Sequence, residues 1–164
     1  MLRVDPMVST YDFTYNPPHR IMWGITNEVP SAASAGLVAQ RLNRKGRAPH
    51  FVFNPLDGEL VQIYPLTQHS AVFAPTISQA YAVHVAVVAE NGVPWTSEAY
   101  YSPEKWEPLM EALKPVEAPP VWPLGPPTAT PEYGRCDELG HYALHQVHKA
   151  FPVMTGIDIR RTYE

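Results

Sequence analysis

The chain has 164 residues, 45% hydrophobic and 17% charged, a balance that fits one globular domain burying about two thirds of its unfolded surface and excludes a disordered chain. A formal net charge of -4, with basic residues scattered apart from Arg41, Arg44, Lys45 and Arg47, excludes the electrostatic footprint of a nucleic-acid binder. The single cysteine, Cys136, allows no internal disulfide, no apolar run reaches the ~18 residues of a membrane span, and the first residues carry no Sec-type signal pattern.

Residues 1–19 are polar and aromatic and end in Asn16-Pro17-Pro18, the pattern of an irregular arm that wraps or docks. Arg20 to Thr26 follows as an expected buried strand. Ser34 to Arg44 sets Leu37, Val38, Arg41 and Leu42 at helical spacing, with Ser31 or Ser34 as N-cap and Gly46 as the stop. The basic cluster falls at the end of this helix, where cations complement the dipole.

Phe51 to Asn54 is a short run of apolar β-formers, Pro55-Leu56-Asp57-Gly58 is turn chemistry, and Glu59 to Tyr64 alternates at period two, together a half-buried hairpin. Thr67 to Gln79 reads as a loop. Tyr81 to Ala89, rich in Val and Ala with a Glu90-Asn91-Gly92 exit, reads as a buried central strand. Ser102-Pro103 opens a second helix with Trp106, Leu109, Met110 and Leu113 at i, i+3, i+4 and i+7.

The 19 prolines of the chain are dense in Pro115 to Pro131, around Trp122, which suits an extended segment laid over the domain or a partner. Asp137 to Ala150 patterns as a third helix with Leu139, Tyr142, Ala143, Val147 and Ala150 inward. The order predicts a single α/β domain over 1–164, a mixed central sheet flanked by about three helices.

The block Ala48 to Leu66, with its Pro49-His50-Phe51, strand, Asp57-Gly58, strand and Gln62, resembles the substrate-side hairpin of zinc-dependent type 2 N-acetylmuramoyl-L-alanine amidases, the family that includes peptidoglycan recognition proteins and many phage lysins. The element order is similar to that family's layout. The resemblance implies a metal held by two histidines and an aspartate or cysteine, an open fourth position holding the water. Laid over this chain, the first histidine position is Gly24. The second matches His145 in Leu144-His145-Gln146, and the third falls on Met154, whose thioether suits zinc poorly. The tyrosine that follows Pro-His in the family is Phe51, and the acidic residue of the central strand is Ala86. A lone histidine does not hold zinc usefully, so the resemblance implies a scaffold with a degenerate site, no catalytic residues and no cofactor.

A separate metal alternative rests on Asp137, His141 and His145 at i, i+4 and i+8, with His141 and His145 as the pair; a solvated polar helix face accounts for the same spacing. Cys136 has Arg135 and a helix start beside it and nothing else to make it a nucleophile. His50 matches a structural position, and His84 reads as a hydrogen-bonded core histidine.

The resulting expectation is a groove formed by Trp23, Phe51, Gln62, His69, Trp95 and His145 that binds peptidoglycan without cutting it, or a fold recruited as a structural subunit of a phage virion. In the second case residues 1–19 and the proline-rich segment lie across neighbouring subunits, with Trp95 and Trp122 as interface anchors. The expected location is the virion, or the cytoplasm before assembly. Alternatives are a zinc amidase with altered ligands and a bacterial wall-binding module.

Overall fold

The computed structural model describes residues 1–13, 18, 20–26, 28–72, 82–89, 103–116 and 157–162. In chain order these form β1 (Leu2–Arg3), β2 (Arg20–Ile25), α1 (Ala35–Arg44), β3 (Phe51–Phe53), β4 (Leu60–Gln62), β5 (Ala82–Val87), α2 (Pro103–Leu113) and β6 (Ile157–Thr162). The strands make one mixed sheet in the order β1-β4-β3-β5-β2-β6. β3, β5, β2 and β6 run parallel, β4 is antiparallel to β3, and β1 runs parallel to β4.

The expected α/β architecture is the one observed, with its hairpin, its central strand and both helices where the patterning places them. The third helix, the proline-rich segment beyond Val116 and Asn91 to Tyr101 lie outside the described residues. Two strands depart from the sequence reading. Leu2–Arg3 was expected within an irregular arm, yet it adds an edge strand, with Leu2 opposite Val61 and Arg3 opposite Gln62. Ile157–Thr162, assigned no element from sequence, pairs with β2, and its register shifts between Trp23 and Gly24. Leu2–Arg3 is too short for a periodicity of its own and owes its form to the sheet edge it pairs with, whereas Ile157-Asp158-Ile159-Arg160 alternates at period two, a strand signal the sequence reading leaves unused.

Helix α1 is fixed at both ends. The Ser34 hydroxyl accepts from the Leu37 N–H at 3.1 Å, and the Glu59 carboxylate accepts from the Ala35 N–H at 2.9 Å. At the other end the Arg47 N–H bonds the Leu42 carbonyl and the Gly46 N–H bonds that of Asn43, with Gly46 at φ 68°; this is a Schellman closure, and its left-handed residue favours glycine.

The sheet is covered on both faces by different chemistry. Val38, Ala39 and Leu42 of α1 pack with Val52, Val61, Ala86 and Val88 in one buried cluster. On the other face, Trp106 of α2 meets Phe53 edge-on with ring centroids 5.0 Å apart, a geometry favoured by the ring quadrupoles. Trp106, Leu109 and Leu113 are fully buried, the i, i+3, i+7 stripe a docked helix requires. Pro108 stands inside α2 on its exposed side, where the carbonyl it leaves without a donor can be hydrated. α2 also abuts the hairpin turn: a Cβ on Gly58 (φ 79°) would stand 3.2 Å from Lys105 backbone atoms.

Candidate functional site

Three of the residues expected to line a groove fall on one register row. Trp23 of β2 pairs with Val85 of β5, Val85 with Phe51 of β3, and Phe51 with Gln62 of β4. Residues in register share a sheet face, so the sheet brings these positions together. Phe51 and Gln62 are not equally open. Phe51 is 1% exposed and sits in the packed interior; as a correction to the expected groove, it presents no face to a ligand. Gln62 is half-buried and donates to the Tyr64 carbonyl at 3.1 Å.

His69 belongs elsewhere, in the segment after β4, where its ring meets Phe13 with centroids 4.3 Å apart. Trp95, His141, His145 and Met154 lie outside the described residues.

The adjacent row carries the two positions at which the resemblance places a metal-binding histidine and an acidic group. Gly24 and Ala86 are register partners on neighbouring parallel strands, and Ala86 pairs in turn with Val52. Gly24 is buried, and Ala86 is 0% exposed within the cluster beneath α1. Neither side chain offers a lone pair, and neither position opens to water, which a catalytic zinc site requires at one coordination position. Among the described residues no group of three His, Cys, Asp or Glu side chains is placed to hold a metal ion. Gly24 and Ala86 themselves therefore supply no zinc ligand.

His50 shows what this hairpin does instead. Its N–H bonds the His84 carbonyl at 3.0 Å, its Nδ1 accepts from the His84 N–H at 3.0 Å, and its Nε2 lies 2.7 Å from the Gln68 carbonyl. Acceptance at Nδ1 requires the proton on Nε2, so the ring is the neutral tautomer bridging β5 to the segment after β4. Complete burial is the main cause of a pKa lowered from 6.5 to about 4, the Gln68 bond opposing it and the charge of His69 adding to it. His50 is thus structural, as expected, and His84 is a buried core histidine.

Asn54, just beyond β3, donates to the carbonyls of Pro30 and Ala33 at 2.9 and 3.0 Å and accepts from the Leu56 N–H at 2.9 Å. One buried amide thereby ties the entry of α1 to the hairpin turn. Arg41 is paired with Glu28, and its pKa is raised, chiefly by that hydrogen bond, so this member of the basic cluster is committed to an internal ion pair.

The N-terminal arm completes the picture. A cleft of about 430 Å³ is lined by Asp12, Phe13, Pro18, Leu66, Thr67 and Val116, together with Pro115. The arm supplies one wall of it. The arm is held by Asn43, Tyr64 and Gln68, side chains that the sequence reading did not single out. Asn43 is the most legible of them, a polar residue buried on the apolar face of α1, which demands a partner.

The described residues define an α/β fold built on one mixed sheet. The Staphylococcus aureus hydrolase AmiA, solved in complex with its ligand, is similar at a TM-score of 0.51 and 15% identity, over 96% of this chain and 71% of that one. The endolysin N-acetylmuramoyl-L-alanine amidase LysCS from Clostridium intestinale URNW is similar at a TM-score of 0.43 and 13% identity, over 98% of this chain and 80% of that one. No family model matches the sequence. No curated protein sequence matches it either. The likeness to AmiA shows a common fold.

Proposed function

We propose that this chain is a non-catalytic protein of amidase-type fold that serves as a structural component of a phage particle and engages the peptidoglycan of the cell wall without cutting it. The observation that carries the reading is the pair Gly24 and Ala86, neighbours in register and both buried. If the resemblance of the hairpin to amidases holds, the fold keeps its frame at these positions and lacks the donors that polarise an amide and activate water. A role in binding uses what persists, the row from Trp23 to Gln62 and the residues Trp95 and His145; a role in assembly uses the arm, which leaves apolar side chains outside. The virion is the proposed location.

Two measurements on the full chain test this. Metal analysis after purification and incubation with sacculi are expected to give no stoichiometric zinc and no released stem peptide; one zinc per chain with peptide release would establish an amidase using other ligands, His141 and His145 among them. Sedimentation with sacculi is expected to retain the protein and to retain less of Trp23→Ala. Equal retention of both forms would remove the groove from the proposal.

A further inference from the structure

The segment from Met1 to Phe13 is fastened to the body largely through its own main chain. The Val4 N–H bonds the Gln62 carbonyl at 2.9 Å. Asn43 reads the next stretch with both ends of its amide, donating to the Asp5 carbonyl at 2.8 Å and accepting from the Met7 N–H at 2.9 Å. The Tyr64 hydroxyl donates to the Val8 carbonyl at 2.6 Å, and Gln68 Nε2 to the Thr10 carbonyl at 3.0 Å. The His69 N–H then bonds the Tyr11 carbonyl, and the Phe13 N–H that of Thr67.

A seat of this kind reads an extended peptide as a backbone, in the manner of an added strand. Asn43 is 4% exposed and Tyr64 0%, so these two receptors are built into the core. The side chains of the arm behave oppositely: Met7 is 67% exposed and Tyr11 85%, with Met1, Leu2 and Val8 also open to solvent. Five of the seven large hydrophobic side chains exposed among the described residues lie in this one segment, a concentration that contact with a second molecule would cover. What fits the seat is already on the page, since the arm of this chain occupies it.

We infer that the seat takes the arm of a second copy of this chain, each protomer laying residues 1–13 across the body of the other. The exchange keeps every bond described above, because none depends on which copy supplies the backbone, and it is isologous, so it closes as a two-fold dimer. The outward side chains of the two arms then lie between the copies. Asp12 and Phe13 would also pass to the partner, which makes the 430 Å³ cleft a shared one. This deepens the assembly half of the proposed function and rests on it.

Arg3 and Gln62 are register partners, which supplies a direct test. One preparation carries Arg3→Cys and another Gln62→Cys, both with Cys136→Ser. They are mixed, refolded together from urea and oxidised mildly, and the products are resolved on non-reducing gels and by intact mass. The expected product is a disulfide-linked heterodimer whose yield rises with concentration. A mixture without it, while the Arg3→Cys/Gln62→Cys double variant closes a link within one monomer, overturns the exchange; so does failure of both links, which removes the β1 register. Light scattering on the unaltered chain separates the two ideas. Oligomers without arm links sink the exchange and leave assembly standing, whereas a monomer at every concentration sinks both.

Discussion

Replacing His50 with Gln should flatten the acid branch of the stability curve. In the folded chain the second proton must go to Nδ1, where it breaks the bond from the His84 N–H and places a charge in a site that burial keeps dry. The folded pKa is about 4 against 6.5 for the free group, so between these values the unfolded chain binds the proton and the folded chain does not. Stability from this group is therefore complete above pH 6.5 and is lost as pH falls toward 4. Linkage at about 1.4 kcal/mol per pKa unit gives about 2 kcal/mol lost between about pH 7 and about pH 4.5. Urea unfolding at those two pH values, on the wild type and on His50→Gln, measures it. The variant should be less stable at neutral pH by about 1–3 kcal/mol, through bonds it fails to reproduce, yet should lose about 2 kcal/mol less than the wild type on acidification. Contributions from groups remote from His50 are common to both proteins and cancel. An equal loss in the two would refute the neutral, buried assignment of His50.

Gly46→Ala should cost about 1–2 kcal/mol in urea unfolding, since φ 68° is a left-handed conformation and the space around it is otherwise open, with Val8 at 3.6 Å. Trp106→Ala should cost about 3–5 kcal/mol by the same assay, through a cavity beneath α2 beside Phe53. Thr26→Val should raise stability by about 1 kcal/mol, read as a higher urea midpoint, because the Thr26 hydroxyl is buried without a hydrogen-bond partner and valine fills the same space. A midpoint at or below that of the wild type would show that the hydroxyl is hydrated.

The parts of the fold legible from sequence are those whose cause is local. Ser34 and Gly46 bracket α1 because capping chemistry acts within a few residues, and Trp106, Leu109 and Leu113 mark α2 because a docked helix needs a stripe. Leu2–Arg3 is a strand by virtue of what it pairs with, since two residues carry no periodicity, while Ile157-Asp158-Ile159-Arg160 does alternate at period two and its strand was legible in principle. The candidate site divides in the same way. Gly24 and Ala86 were each readable as positions without donors, but their contact in register depends on β5 lying beside β2, a fact of sheet order. The burial of Phe51 likewise depends on what packs over β3 from elsewhere in the chain, which its own strand pattern does not reveal. The arm seat was hidden by distance along the chain: Asn43 and Tyr64 meet groups 36 and 56 residues away.

That same distance gives the arm a history during synthesis. Its receptors follow it by 36 to 59 residues, so at about 5–20 residues per second it waits several seconds on the ribosome before the last of them exists. Through that interval Met7, Val8 and Tyr11 have nothing to bind. The arm is consequently a latch made well before the last parts of its catch, the carbonyls and side chains between Gln62 and His69.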